Sequence, residues 1–328
     1  MSRGYFERKR KQHITIFLIA AGVILLAVCG ALVLRAMQNS GDADFGQIAD
    51  VDNDQSQVLE TEPEEKDSTP IKVLVMDVGD AESVLIDYGS TEILYDCGYA
   101  ETGKKVADTL EKYVNGPLDY LILSHSHADH VGGAPKVLEK YTVGTIITSG
   151  EKEGSSVEFD AAMKAVNDEG ANVVEDGNLT FDIGEDATLN IIETYDPGQL
   201  EEDNPNDYSV VAYVVRGENR ILITGDSEAE AERMLKGKFK DITVYVAGHH
   251  MSSTSNNALL LAEWDPEIII ASCAGPKKSE YGFPHKEALD RCRLVTDEIY
   301  ATYKSGDILV TLDEKEGASI NCNEDDRL

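Results

Sequence analysis

The chain is 328 residues long, room for one large domain or two ordinary ones, and its formal net charge is −32. The first 35 residues carry +5 of that, which leaves −37 on the remainder. Such a surface repels polyanions at long range and argues against tight, sequence-independent DNA or RNA binding, which needs lysine and arginine against phosphate. The five cysteines show neither CxxC nor zinc-ribbon spacing, so buried or free thiols are expected.

Residues 1–13 form a basic tail ending in the run Arg8 to Lys11. Ile14 to Leu34 follows, 21 residues without a charge, long enough to span a bilayer as a helix. The positive charge before it predicts a cytoplasmic N-terminus, with everything downstream on the outer side of the cell membrane as a single-pass protein. A cleaved leader is the alternative, but its apolar region is usually shorter and ends at a small-x-small site. Residues 35–70 are acidic and poor in apolar side chains, which predicts a disordered, extended linker.

From Ile71 to the end, residues 71–328, the pattern is that of a folded domain. Strands are predicted over Ile71–Val78, Ser83–Asp87 and Glu92–Asp96, then a helix over Lys104–Tyr113 with Val106 and Leu110 on its apolar face. The strand Leu121–Leu123 stops at Ser124, and four metal-capable side chains fall within six positions: His125, His127, Asp129 and His130. In an extended turn residues i and i+2 point the same way, so His125 and His127 can share one metal ion. Asp129 and His130 fall where the chain turns into a helix and can face a second ion about 3.5–4 Å away, the usual separation in two-metal hydrolases. Gly132 and Gly133 allow that turn to pass close to other backbone. A His-rich surface loop is the plainer alternative.

Strands and helices then alternate: Thr145–Thr148, a helix Val157–Asp168, Asn172–Glu175, Leu179–Phe181, Thr188–Glu193, Tyr208–Val215 and Arg220–Thr224. This alternation favours an α/β sheet fold with helices outside. Gly225-Asp226 ends the last of these strands, where Asp226 is either a ligand or the N-cap of the helix that follows. Asp241–Ala247 precedes Gly248-His249-His250-Met251, Glu267–Ser272 is a further strand, and Tyr281-Gly-Phe-Pro-His285 comes before a helical stretch. Ile308–Leu312 and Ala318–Cys322 are the last strands expected.

The HxHxDH stretch at His125–His130 resembles the metallo-β-lactamase superfamily. More narrowly the domain is similar to the hydrolase domain of ComEC-type competence proteins. Met76-Asp-Val-Gly-Asp-Ala-Glu-Ser83 stands where that group has LDVGQGDS, with Asp80 and Ala81 departing from it. His249-His-Met-Ser-Ser-Thr-Ser255 stands for HHGSxTS, and Tyr281–His285 for YGHPH, with Met251 and Phe283 as departures. The resemblance implies a four-layer αββα sandwich with two divalent metal ions, zinc or manganese, at one edge. It implies His125, His127 and Asp226 for one ion, and Asp129, His130, Asp226 and His250 for the other, with Asp96 behind a histidine. Asp129, His249 and His285 are the candidate catalytic residues. No histidine lies between His130 and Asp226, so the first ion keeps open positions or takes an oxygen from the loop 203–207. The expected function is a membrane-anchored, metal-dependent hydrolase of a phosphodiester, DNA among the substrates. A non-catalytic metal-stabilised binding module, or a hydrolase of another ester or amide such as a phosphocholine-bearing wall polymer, stays open beside it.

Overall fold

A computed structural model describes residues 69–149, 151, 156–175, 177–184, 186–194 and 204–328. The expected basic tail, membrane span and nearly all of the acidic linker lie outside the described residues. Within these, no helix is long and apolar enough to cross a membrane.

Six strands come first: β1 (Ile71–Val75), β2 (Val84–Tyr88), β3 (Thr91–Tyr95), β4 (Leu118–Leu123), β5 (Val143–Thr148) and β6 (Asn172–Glu175). Seven more follow: β7 (Leu179–Gly184), β8 (Ala187–Ile192), β9 (Val211–Arg216), β10 (Asn219–Ile223), β11 (Val244–Val246), β12 (Ile268–Ala271) and β13 (Ile299–Ala301). Strands β14 (Ile308–Asp313) and β15 (Gly317–Ile320) complete the set. They form an eight-stranded sheet in the order β15-β14-β1-β2-β3-β4-β5-β6 and a seven-stranded sheet in the order β13-β12-β11-β10-β9-β8-β7. The last two strands thus return to the first sheet, β14 pairing antiparallel with β1.

Three apolar cores make the layers visible. One, including Val73, Ile86, Ile122, Val214, Ile221 and Val310, lies between the sheets. The alternate side chains of β1 to β5, such as Leu74, Leu85 and Leu121, pack on Val106 and Leu110 of the helix Gly103–Leu110 and on Phe159 of the helix Val157–Glu169. On the far side Leu222, Tyr245 and Ile269 pack on Leu261 and Trp264 of the helix Ala258–Trp264 and on Ala288 of the helix Lys286–Cys292. Strands buried on both faces read as continuous apolar runs, as Leu121–Leu123 does.

The parallel strands place the site. Strand β4 runs parallel to β3 and β5, and β10 to β13 are parallel in sequence. Loops leaving the carboxyl ends of β4, β10, β11 and β12 are where an α/β sheet presents its ligand site. Two bonds join the sheets there: Ser272 Oγ–H donates to Ala81 O at 2.6 Å, and Ala274 N–H donates to Asp80 Oδ1 at 2.8 Å. Asp80, a departure from the competence-type motif, thus has a structural occupation.

Candidate metal centre

Strand β4 ends at Leu123, and Ser124 N–H donates to Asp96 Oδ1 at 2.8 Å while its hydroxyl donates to Asp96 Oδ2 at 2.7 Å. The chain then turns through His125 and His127 into the short helix Ala128–Val131. Ser126, between the two histidines, donates its N–H and its hydroxyl to the two carboxylate oxygens of Glu151, each at 2.8 Å. The turn is pressed against neighbouring backbone. A Cβ on Gly133 would sit 2.0 Å from Cys97 O, so only glycine fits there.

From the second sheet, β10 leads through Gly225, with φ +52° and Tyr95 Oη within 2.8 Å of where a Cβ would be, to Asp226. Asp226 does not cap the next helix. That helix, Ala229–Met234, has the N–H groups of Glu228 and Ala231 donating to Asp207 Oδ1. Asp207 Oδ1 is therefore engaged by that helix, and no residue of the loop 203–207 that is described joins the donor groups; Asp203 lies outside the described residues.

After β11, His249 and His250 both adopt left-handed backbone, with φ 52° and 54°. His250 Nδ1–H donates to Ser272 O at 3.0 Å, which leaves its Nε2 facing Asp129 Oδ2 at 3.2 Å and Asp226 Oδ1 at 3.7 Å. His130 Nδ1–H donates to Asp96 Oδ2 at 2.6 Å, which turns its Nε2 toward Asp226 Oδ1 at 3.2 Å. In each histidine the bond at Nδ1 fixes the ring and leaves Nε2 as the atom offered to a cation.

The outcome is two donor groups that share Asp226. One is Asp129, His130, Asp226 and His250; the other is His125, His127 and Asp226. In each group the donor atoms lie within 4.8 Å of one another. The buried atoms His130 Nε2 and Asp226 Oδ1 face each other at 3.2 Å without hydrogen-bond geometry, and neither has another hydrogen-bond partner among the described residues, a costly arrangement for buried polar atoms. The convergent N/O donors of each group fit a divalent cation, although in the second group His125 Nε2 and His127 Nδ1 meet each other at 3.0 Å.

The electrostatics have the same origin. Burial drives His125 well below the usual histidine range, reinforced by His130. Burial also opposes charge on His250, yet Asp226 and Asp129 outweigh it and push the imidazole up to about 9. Burial disfavours the Asp226 carboxylate, but His130, His249 and His250 hold it well below the normal carboxyl range. Glu82, the acid of the opening motif, is pushed up to about 8 by burial, and its Oε2 has no partner.

His249 stands apart from both donor groups. Its Nδ1 lies 3.3 Å from Glu228 Oε1 and 3.2 Å from Thr254 Oγ1, and its Nε2 lies 3.6 Å from Asp226 Oδ2. It lines a cavity of about 360 Å³ together with His127, Asp129, Asp226 and His250. His285, expected to meet substrate, does not line this cavity. Ser253 N–H donates to its Nδ1 at 2.9 Å, and its Nε2–H donates to Tyr281 O at 3.0 Å, so both ring nitrogens serve loop structure. Glu151 and Glu228 escaped the sequence reading: an acid on a polar loop carries no signal of its own, though Glu228 is two positions past Asp226.

A model of the metallo-beta-lactamase superfamily matches residues 76–273. The chain belongs to that superfamily. Among curated relatives of this superfamily member, Recombination protein 2 of Haemophilus influenzae is 29% identical over 245 residues, covering 73% of this chain and 28% of the relative. Competence protein ComA of Neisseria gonorrhoeae is 28% identical over 299 residues, 88% of this chain and 39% of the relative. ComE operon protein 3 of Bacillus subtilis is 25% identical over 193 residues, 58% of this chain and 24% of the relative. The chain thus resembles competence proteins while spanning well under half the length of each.

Proposed function

We propose that this chain is a metal-dependent phosphodiesterase, with DNA among its candidate substrates, held on the outer face of the cell membrane by Ile14–Leu34. The observation that carries the reading is the pair of donor groups sharing Asp226 on the floor of a cavity. Divalent cations bound there, zinc or manganese, would lower the pKa of a water molecule and offset charge developing on a phosphoryl oxygen.

The chain's own residues supply the rest. Asp129, partly open to the cavity, offers a carboxylate oxygen to orient the attacking water. His249 has Glu228 at its Nδ1, which orients the ring and leaves Nε2 directed at the cavity. From there it donates a hydrogen bond or a proton to the phosphate or the leaving oxygen. Ser126–Glu151 and Ser124–Asp96 hold the histidine turn in register.

The test is hydrolysis of bis(p-nitrophenyl) phosphate and of single-stranded DNA by the purified full chain loaded with Mn²⁺ or Zn²⁺. Turnover that needs metal and disappears in His127→Ala and Asp226→Ala supports the reading. Bound metal without turnover of either substrate overturns it in favour of a metal-stabilised binding module. His249→Gln is expected to lose about 10²- to 10⁴-fold in kcat while still binding metal, checked by steady-state kinetics beside metal analysis.

A further inference from the structure

The cavity above the donor groups has an aromatic wall that the chemistry above does not use. Tyr99, Tyr281 and Phe283 line it, and among the described residues no lysine or arginine does. Phe283 is buried, with its ring centroid 5.6 Å from those of both His249 and His250. Tyr281 stacks on Phe283 at 5.5 Å with an interplanar angle of 27°, yet it is 64% exposed. The segment carrying both rings is pinned from inside, because the N–H groups of Tyr281, Gly282 and Phe283 all donate to Ser279 Oγ. Tyr281 also accepts His285 Nε2–H at its carbonyl. The backbone that carries the ring is thus pinned, two ring contacts from His250, and among the described residues Phe283 is the ring that stacks on Tyr281.

We propose that Tyr281, backed by Phe283, is a stacking platform for the planar ring borne by the group next to the scissile phosphate. It makes the site prefer nucleoside phosphodiesters with an unpaired base over alkyl ones. The proposal rests on the phosphodiesterase reading for its chemistry and on the rings for its specificity. A platform already ordered loses little entropy when a base settles on it. Base stacking of this kind tolerates any base, since each has a π face. Among the described lining residues the rings are the part of the cavity wall suited to hold the portion of a substrate that is not phosphate. A purely structural role for Tyr281 is hard to reconcile with how little of it is buried.

The experiment compares two esters with one leaving group, p-nitrophenyl thymidine 5′-phosphate and methyl p-nitrophenyl phosphate, on the metal-loaded full chain. The expected result is a preference of about 5- to 150-fold in kcat/KM for the thymidine ester, carried in KM. Tyr281→Ala brings the ratio close to one, and Tyr281→Phe, which keeps the ring, retains it. Equal efficiency on the two esters, or a preference that survives Tyr281→Ala, overturns the platform. Calorimetric binding of thymidine 5′-monophosphate against methyl phosphate asks the same question without turnover. Nucleotide preference in binding with no hydrolysis would keep the platform and overturn the phosphodiesterase reading. Hydrolysis of both esters at equal efficiency would do the reverse.

Discussion

Asp226 is the residue on which both donor groups depend, since it supplies a carboxylate oxygen to each. In the metal-free protein the neighbouring His250 holds its proton up to about pH 9. A cation can bind its Nε2 only when that proton leaves. Burial opposes charge on His130, in the same donor group, yet Asp226, Asp129 and Asp96 likewise hold it well above the usual histidine range. Metal affinity should therefore rise with pH, and calorimetry in buffers of different ionisation enthalpy should detect proton release. Asp96 acts one step back, through His130. Asp96→Asn keeps an acceptor for Ser124 N–H and tolerates the left-handed backbone at this position, φ 55°, so the fold should survive. It replaces the carboxylate that accepts His130 Nδ1–H, and metal affinity should fall about 10- to 100-fold, measured by competition with a chromogenic chelator. At this scale the sequence was legible where spacing constrains geometry. The HxHxDH run alone placed four donors, whereas the role of His285 turned on hydrogen bonds to Ser253 and Tyr281 that no motif encodes.

Among the elements, the turn from Gly248 to Asn256 carries the most strain and the most support. His249, His250, Met251 and Asn256 all have positive φ. The turn is gripped from two helices. Arg291 donates to the carbonyls of Ser253, Ser255 and Asn256, and the N–H groups of Asn256 and Asn257 donate to Glu232. Met251→Gly would relieve about 1–2 kcal/mol of left-handed strain, but it would delete a fully buried side chain whose loss costs about 2–5 kcal/mol. The packing loss wins over nearly all of that range, and urea unfolding should show a net destabilisation of up to about 4 kcal/mol.

Burial raises the Glu232 carboxyl to about 7 against its backbone donors. A carboxyl raised in the fold holds its proton more tightly there than in the unfolded chain. Its contribution to stability is therefore full below about 4.5 and is lost as pH rises through 7. Glu232→Gln removes that titration, so the stability of the variant relative to the parent should increase between pH 4.5 and 7. Most strands were readable from their apolar runs. Strand β13 was not, because three residues, Ile299–Ala301, are too few for a period. The helix Ala258–Trp264 was missed despite its cap, Asn257 Oδ1 accepting Leu259 N–H.

For the molecule as a whole, the dominant property is its charge of −32. An acidic body, with no lysine or arginine among the described residues of the cavity, should meet a nucleic-acid strand with repulsion, which salt screens. KM for a single-stranded oligonucleotide should fall as salt rises from 20 to about 150 mM, within the range where the Debye length shortens toward 8 Å. A site that works by neutralising phosphates shows the opposite slope. The two-sheet α/β architecture was legible from alternation and motif, but the way β14 returns to β1 was not, because strand order is a long-range fact.

The bonds that join Ala81 to Ser272 and Asp80 to Ala274 cross 191 and 194 residues of chain. Four of the six metal-donating residues, His125 to His130, emerge from the ribosome well before Asp226 and His250. The early half can collapse on its own apolar core, since chains fold as they are made. It then presents an incomplete cluster, and neither donor group closes until the late half docks. Completion of the shared site is therefore a terminal event of synthesis, and a nascent chain halted before Asp226 would hold its histidines without the carboxylate that joins the two groups.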